Sequence, residues 1–182
     1  MKIYVVRHGE TIWNAESRVQ GVKDIDLNDN GRAEAYELQG LVKELDIDVV
    51  LSSPLRRAKE TAEILVNDAL PVTVDSRLIE RFWGQNEGKL LGDIDTHTCW
   101  DVNLNIDTND IEKIQDFMQR IADFIEEIKV HYYGRKVLIV THSAVVRVIH
   151  YLLGRIPEDG DLSRINIPNL RILEYELYER GN

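Results

Sequence analysis

Hydrophobic positions along this chain follow two patterns that alternate from the N-terminus to about residue 153. Short continuous apolar runs are typical of strands buried on both faces. Four such runs lie at 3–6, 47–51, 72–74 and 136–140. Apolar residues three or four positions apart predict amphipathic helices. This spacing occurs at 28–45, 53–65, 111–128 and 143–153. Near the end, Leu173, Tyr175 and Leu177 alternate with glutamates, which predicts a half-exposed edge strand.

The alternation of strands and helices predicts an α/β fold. Parallel strands joined by helices need a helical layer on both faces of the sheet, so we expect a three-layer α/β/α sandwich. The central sheet is expected to be mostly parallel, with an antiparallel edge strand near residue 175. A length of 182 residues fits one domain, 1–182, and the glycine-containing segment at about 81–110 predicts a small cap-like insertion of loops and short helices.

Capping residues predict where two of the helices begin. Asn28 or Asp29 is placed to cap the helix at 28–45, because its side chain can accept a hydrogen bond from an unpaired N–H of the first turn. Ser53 followed by Pro54 predicts a second start, with serine at the N-cap and proline at the first helical position.

Charged and polar residues come after three of the predicted strands. Arg7 and His8 directly follow the first strand. Arg57 lies at the start of the helix after the second strand, and His142 follows the run at 136–140. Ligands of such sheets bind beyond the carboxyl ends of the strands. We therefore expect these four side chains at one edge of the sheet.

Two arginines and two histidines at one edge suit a phosphoryl group. The planar guanidinium binds phosphate oxygens bidentately. A neutral imidazole can attack phosphorus and form a phosphohistidine, which divides one difficult displacement into two easier ones. Nearby positive charge disfavours the imidazolium, so Arg7 and Arg57 would help to keep His8 neutral. The sequence thus predicts phosphoryl transfer or hydrolysis at this edge.

Four ordered blocks of the sequence resemble the histidine phosphatase superfamily, the phosphoglycerate-mutase-like group. They read RHGET, SSPLRRA, LIERFWG and VTHS, and they begin at residues 7, 52, 78 and 140. Further matches follow the first block at Asn14 and at Gln20-Gly21. The compact form of the chain is most similar to the phosphatase branch of the family. The sequence departs from the family at Ser143, where glycine is usual.

The resemblance implies a role for each matching residue. His8 would be the nucleophile and Glu80 the proton donor, acting with Arg7, Arg57 and His142. The residues expected to bind the phosphoryl group are Arg7, Gly9, Asn14, Gln20, Gly21, Arg57, His142 and Ser143. The resemblance implies no metal ion and no organic cofactor. Its expected partner is a small-molecule phosphate ester.

Three functions are compatible with these residues: a phosphatase, a phosphoglycerate mutase-type phosphoryl transferase, and a non-catalytic phosphoester-binding module. Only 84 residues lie between Arg57 and His142. By family analogy, a mutase carries a longer insertion there, which closes over the substrate. The short insertion favours hydrolysis. A binding module is disfavoured because every catalytic position is filled.

Composition narrows the classes of partner. The net charge is −10, which argues against binding to nucleic acid or to an anionic membrane surface, because both need a basic face. No run approaches the roughly 20 apolar residues of a membrane span. With one cysteine, Cys99, an intramolecular disulfide is excluded. We therefore expect a cytoplasmic protein. A homodimer remains an open expectation.

Two patterns invite a metal interpretation that the remaining sequence disfavours. Residues 26–37 satisfy the calcium-loop pattern of EF-hands, but the preceding segment shows no sign of an entering helix. His97 and Cys99 offer two soft ligands without a second pair nearby. We predict no metal site at either place.

Overall fold

The computed structural model describes residues 1–154 and 159–178. The described strands form a five-stranded sheet from β1 Lys2–Arg7, β2 Val49–Ser52, β3 Val72–Val74, β4 Lys136–Thr141 and β5 Ile172–Glu176. Their order is β3-β2-β4-β1-β5. Strand β5 runs antiparallel to β1, whereas the pairs β1–β4, β2–β4 and β2–β3 are parallel. This topology confirms the mostly parallel sheet with an antiparallel edge.

The α-helices of the described chain are α1 Ile12–Ala15, α2 Asp29–Glu44, α3 Arg56–Val66, α4 Thr96–Trp100, α5 Ile114–His131 and α6 Ser143–Leu152. Short 3₁₀ turns lie at Ser76–Leu78, Gly84–Asn86, Leu91–Asp93 and Leu162–Arg164. Among the helices in residues 1–154 and 159–178, none is long and apolar enough to cross a membrane.

Alternate residues of the central strands face opposite helical layers. Ile3 and Val5 of β1 belong to a core cluster that includes the buried faces of α5 and α6. Tyr4 and Val6 belong to a second cluster with residues of α2 and α3. Phe117 in α5 is fully buried, and truncating such a side chain to alanine typically costs about 3–5 kcal/mol of unfolding free energy. The two clusters confirm the α/β/α sandwich.

The two predicted helix starts have different outcomes. Asn28 precedes α2, and its side chain accepts a hydrogen bond from the Gly31 N–H, as predicted. The start at Ser53 is wrong, because α3 begins at Arg56 and Leu55 occupies the N-cap without a side-chain cap. Ser53 Oγ accepts from the Leu55 N–H over 3.3 Å in the turn before α3, and it lies 2.7 Å from an imidazole nitrogen of His142.

The segment 81–110 contains two of the 3₁₀ turns and α4, and its aromatic residues anchor it to the core. Trp83 and Trp100 are buried and pack edge to face, with ring centroids 5.6 Å apart. Arg81 is fully buried and donates to the carbonyl oxygens of Glu112 and Cys99. This irregular segment therefore has a defined position over the sheet edge.

Candidate active site

The register of β1 and β4 places the two histidines side by side. Arg7 pairs with Thr141 at the ends of these parallel strands, and the His8 N–H donates to the Thr141 carbonyl over 2.9 Å. His8 and His142 therefore leave the sheet at the same level, with ring centroids 5.2 Å apart. On the other side of β4, β2 leads into α3, whose first turn carries Arg57. The structure thus brings the four predicted residues together.

The hydrogen bonds of His8 define its tautomer. Arg57 donates its Nε–H to His8 Nε2 over 3.2 Å, and because a guanidinium only donates, Nε2 is the acceptor. His8 Nδ1 lies 2.7 Å from the Gly9 carbonyl oxygen, which only accepts, so Nδ1 carries the proton. The lone pair of the imidazole therefore lies on Nε2.

The surroundings of His8 also keep it neutral. The residue is almost fully buried, and burial is the largest cause that lowers its pKa well below 6.5. The charges of Arg57 and Arg7 lower the pKa further, whereas the hydrogen bond to Gly9 acts in the opposite direction. At neutral pH the Nε2 lone pair is therefore not lost to protonation.

Two buried arginines flank this imidazole. Arg57 is fully buried and donates to the carbonyl oxygens of Lys23 at 2.7 Å and Gly21 at 2.8 Å. Arg7 donates to the Ile167 carbonyl over 2.6 Å, and its Nε has no partner among the described residues. Burial lowers the pKa of both arginines to about 10, so both stay charged at neutral pH.

His142 lies fully buried beside His8. Its Nε2 is 2.7 Å from Ser53 Oγ, while its Nδ1 has no hydrogen-bond partner in residues 1–154 and 159–178. Burial, then the charge of Arg57, and then His8 lower its pKa well below 6.5. An unsatisfied nitrogen in this position is an available contact for a bound anion.

Several hydrogen bonds from the core hold the segment that carries Glu80. Thr141 at the end of β4 donates its hydroxyl to the Leu78 carbonyl over 2.8 Å. Arg120 of α5 donates to the backbone carbonyl of Glu80 itself over 3.2 Å. These contacts fix an irregular stretch of chain against the sheet edge, so the carboxyl group of Glu80 has a defined position.

The carboxyl group of Glu80 is buried and faces the same cavity as His8. Its oxygens accept from the backbone N–H groups of Arg81 at 2.8 Å and Ala144 at 3.4 Å. Burial raises the pKa of Glu80, and the Arg81 N–H and the charge of Arg57 partly oppose this effect. A raised pKa makes this carboxyl group suited to donate and accept a proton near neutral pH.

A cavity of about 310 Å³ opens onto these groups. Sites for small molecules commonly have volumes of roughly 300–1,000 Å³, so this cavity fits a phosphoryl group with a small leaving group. The predicted residues that line it are Arg7, His8, Asn14, Gln20, Gly21, Arg57, Glu80 and Ser143.

Three polar residues complete the lining. The Oδ1 of Asn14 accepts from the backbone N–H and the hydroxyl of Thr11, so the amide NH₂ is the part left for a ligand. Gln20 Oε1 is buried without a partner in the described chain. Ser143 is the first residue of α6 and has a helical backbone. Glycine's conformational freedom is therefore not needed at this position, despite the family's usual glycine.

Gly9 lies close to the site but uses its N–H elsewhere. It donates to Thr61 Oγ1 over 3.0 Å, and a Cβ atom here would lie 2.7 Å from the Gly31 carbonyl oxygen. Its small size therefore lets the loop after β1 pack against α2. The expected phosphate contact by Gly9 finds no available N–H in this structure.

Sequence reasoning missed Arg147, which also lines the cavity. It is one turn beyond Ser143 on α6, so the two residues share a face of the helix. Its guanidinium lies 4.7 Å from the ring centroid of Trp100, a second cavity residue, which belongs to the predicted insertion at 81–110. The helical spacing from Ser143 is the signal that could have identified Arg147.

The residues of the two metal-like sequence patterns make other contacts in the structure. Asn28 caps α2, and Asp26 pairs with Arg56 at 2.9 Å. His97 Nε2 lies 3.2 Å from an Asp161 carboxylate oxygen. Within the part of the chain that is described, no group of three His, Cys, Asp or Glu residues could hold a metal ion.

A larger cavity, of about 570 Å³, lies between α2 and α3. Gln39, Val42, Leu65 and Leu70 are among its lining residues, and none of the predicted site residues reaches it. Size alone therefore does not locate the reactive groups, which converge on the smaller cavity.

The sequence profile of the histidine phosphatase superfamily, branch 1, matches residues 3–182. The chain belongs to this superfamily. This histidine phosphatase is 33% identical to the uncharacterized phosphatase PhoE of Bacillus subtilis over 180 residues, which cover 97% of this chain and 89% of PhoE. The solved structure of Bacillus stearothermophilus YhfR has a TM-score of 0.86 at 29% identity, covering 98% and 92% of the two chains.

A comparison with a mutase shows that this chain is the shorter of the two. A 2,3-bisphosphoglycerate-dependent phosphoglycerate mutase of Bifidobacterium longum is 28% identical over 214 aligned positions, which cover 98% of this chain and 87% of the mutase. Because this chain has only 182 residues, the alignment contains mutase segments that this chain lacks. Family membership and the phosphatase relatives identify the chain as a phosphatase.

Proposed function

We propose that this phosphatase hydrolyses phosphomonoesters through a phosphohistidine on His8, without a metal ion. The observation that carries the proposal is the tautomer of His8, whose Nδ1–H is donated to Gly9 and whose Nε2 lone pair faces the arginine-lined cavity. In the absence of substrate, that lone pair accepts from Arg57. A phosphoryl oxygen then takes over the Arg57 donor and leaves Nε2 directed at phosphorus.

The charges of the cavity support this reaction. Phosphoryl transfer depends mainly on positioning and on neutralising the oxygens. Arg7 and Arg57 supply two fixed positive charges, and the amide of Asn14 and the unpartnered His142 Nδ1 provide further polar contacts. If the Ser53 hydroxyl donates its hydrogen bond to His142 Nε2, the imidazole proton lies on Nδ1. A phosphoryl oxygen can then accept a hydrogen bond from this Nδ1–H.

The proposed cycle has two balanced steps. In the first, the Nε2 lone pair of His8 forms a bond to phosphorus while the ester P–O bond breaks, and protonated Glu80 gives its proton to the leaving oxygen. In the second, water attacks phosphorus and gives a proton to the Glu80 carboxylate. The P–N bond breaks, its electron pair returns to Nε2, and inorganic phosphate leaves.

Hydrolysis of p-nitrophenyl phosphate tests the proposal directly. We expect turnover by the wild type between pH 5 and 8, unaffected by EDTA, and loss of turnover in His8→Ala. His131→Ala, which removes an exposed histidine at the end of α5, is the matched control and should retain full activity. Rapid quenching should trap an acid-labile, base-stable phosphoenzyme. Turnover that survives in His8→Ala, or strict dependence on a metal ion, would contradict the mechanism.

A second assay, with 3-phosphoglycerate as substrate, separates hydrolysis from phosphoryl transfer. If the wild type isomerises phosphoglycerate faster than it releases phosphate, the mutase alternative is correct. If phosphate esters bind but no product forms, the chain is a binding module.

A further inference from the structure

Two side chains from distant parts of the chain hold the peptide unit between His8 and Gly9, just beyond the end of β1. The His8 N–H donates to the Thr141 carbonyl of β4. At the next peptide unit, the side-chain amide of Asn169 donates to the His8 carbonyl over 2.7 Å. The Gly9 N–H at the other end of the same unit donates to Thr61 Oγ1 over 3.0 Å. Both ends of this peptide unit are therefore fixed by side chains.

The direction of each of these hydrogen bonds is defined. A backbone carbonyl only accepts, so the amide nitrogen of Asn169 faces the His8 oxygen. The fully buried Thr61 hydroxyl donates its proton to the Arg57 carbonyl over 2.6 Å, which leaves its oxygen to accept from Gly9. The Thr61 hydroxyl thus joins the loop after β1 to the first turn of α3.

The orientation of this peptide unit affects the imidazole of His8. His8 Nδ1–H donates to the Gly9 carbonyl, which belongs to the following peptide unit. The position of that carbonyl depends on the two backbone torsions of Gly9, and glycine has the widest torsional freedom of any residue. Holding the peptide unit on the N-terminal side of Gly9 restricts this freedom. The Nδ1–H then has a defined acceptor, and Nε2 has a defined direction.

The backbone next to Asn169 is strained. Leu170 has a φ of +57°, in the left-handed region that side chains with a Cβ rarely adopt. Its side chain is buried in the core cluster that contains Tyr4 and Val6, and its N–H donates to the Arg7 carbonyl over 3.0 Å. Strained conformations persist where the surrounding contacts determine them, and they cluster at functional sites. The strain indicates that the turn at 169–170 is held in one position against the backbone of Arg7 and His8.

We propose that Asn169 and Thr61 are positioning residues for His8, which together orient the peptide unit between His8 and Gly9 and so direct Nε2 at phosphorus. This inference rests on the proposed reaction at His8. Neither side chain is among those that line the cavity, so both act through His8 rather than by contact with the substrate. A displacement of reacting atoms by about 1 Å can slow a reaction about 100-fold, so a change in this peptide unit is measurable.

Thr61→Val and Thr61→Ser provide the first test. Valine keeps the shape of threonine without its hydroxyl, whereas serine keeps the hydroxyl. In rapid-quench experiments with p-nitrophenyl phosphate, Thr61→Val should slow phosphoenzyme formation about 30-fold, and Thr61→Ser should stay within about threefold of the wild type. The inhibition constant of inorganic phosphate should change less than about threefold in both, because the arginines that bind phosphate remain. Thr73→Val, on exposed β3, is the matched control and should retain the full rate.

Asn169→Leu removes the second contact in a half-buried position and carries the test if Thr61→Val does not fold. It should also slow phosphoenzyme formation about 30-fold. Because both residues hold one peptide unit, the double variant should lose about 100-fold rather than the about 900-fold expected of independent sites. Normal rates in both single variants, fully multiplicative losses, or an equal loss in Thr61→Ser would overturn the assignment.

NMR of ¹⁵N-labelled histidine keeps this test separate from the reaction. We expect neutral wild-type His8 to carry its proton on Nδ1, and we expect the ¹⁵N shifts of His8 in Thr61→Val and Asn169→Leu to move towards the tautomer protonated on Nε2. If the wild type hydrolyses no ester, the proposed function fails, but such a change in both variants still supports the positioning role. Unchanged His8 shifts in both folded variants contradict that role even when hydrolysis is observed.

Discussion

The candidate active site has a floor, formed by Arg7, His8 and Arg57 with His142 buried beside His8, and a wall, formed by Glu80, Trp83, Trp100 and Arg147. The floor residues come from the ends of adjacent parallel strands or the first turn of α3. Most of the wall comes from the irregular chain between β3 and α5. The floor is therefore fixed by sheet register, whereas the wall is fixed by individual side-chain contacts.

In the proposed reaction, the floor would determine the chemistry at phosphorus, whereas the wall would determine which leaving group is accepted. In that reaction, the backbone partners of His8 and Arg57 define where phosphorus would be attacked, and the sheet imposes those positions. The contacts of Arg147 with Trp100 and Ile165 depend on the path of the insertion and of the chain after α6. Changes in the wall can therefore alter the leaving group without moving the nucleophile.

Removing Glu80, the proposed proton donor of the wall, should have the largest effect of the substitutions considered below. Glu80→Gln keeps the shape of the side chain but cannot donate a carboxyl proton, so kcat for an alkyl phosphate should fall about 1,000-fold. The loss for p-nitrophenyl phosphate should be much smaller, because nitrophenolate leaves without protonation. Steady-state rates for both esters measure the difference.

The pH dependence of the wild type provides the control for Glu80. Burial raises its pKa, so the protonated donor persists to higher pH than for an exposed glutamate and is lost as pH rises through that raised value. The alkaline fall in kcat should therefore disappear in Glu80→Gln with an alkyl ester. Equal losses for both esters, with an unchanged pH profile, would assign the proton donor to another group.

A conservative change in the floor should have the next largest effect. Arg57→Lys keeps the charge but loses the planar fork and its contacts with the Lys23 and Gly21 carbonyls, so kcat/KM should fall about 100-fold for every ester. Arg56→Lys, one position earlier on the exposed side of α3, is the matched control. If the loss depends strongly on the leaving group, Arg57 contacts the leaving group, as the wall residues do.

The pKa of His8, measured by NMR titration, separates the effect of the Arg57 charge from the effect of its side-chain geometry. Arg57 lowers the His8 pKa, so Arg57→Met should raise that pKa, whereas Arg57→Lys should leave it nearer the wild-type value. Thermal unfolding of each variant verifies that the buried substitution preserves the fold. If the His8 pKa is the same in the Met variant, Arg57 does not influence the nucleophile electrostatically.

The floor was predictable from the sequence because its position follows from periodicity. The runs at 3–6 and 136–140 identify neighbouring buried strands, and a residue just beyond each strand must lie at the sheet edge. Ser53 was misassigned because local capping preferences carry no information about its distant partner, His142. Its Oγ accepts from the Leu55 N–H, but this turn precedes α3, which begins at Arg56.

The wall was less predictable because an irregular segment has no hydrophobic periodicity from which its position could be inferred. Glu80 was found only through family resemblance, and its burial becomes evident only when Thr141 and Arg120 are seen to hold the segment. Trp100 lies in the insertion at 81–110, but no sequence signal distinguished it from the other side chains of that segment. Arg147 becomes predictable once α6 is known to begin at the cavity, because one helical turn returns to the same face.

The smallest effect is expected at Ser143, where floor and wall meet at the start of α6. Ser143→Pro removes the backbone N–H but keeps the helix, since proline suits the first helical position and His142 already has the extended backbone that a residue before proline adopts. If that N–H binds a phosphoryl oxygen, KM should rise about tenfold, as for the loss of one charge-assisted hydrogen bond. Ser143→Gly retains the N–H and provides the control, with KM within about threefold of the wild type. Similar KM values for the two variants would show that the phosphoryl group is held by side chains alone, which would assign phosphate binding entirely to the arginines, the histidines and Asn14.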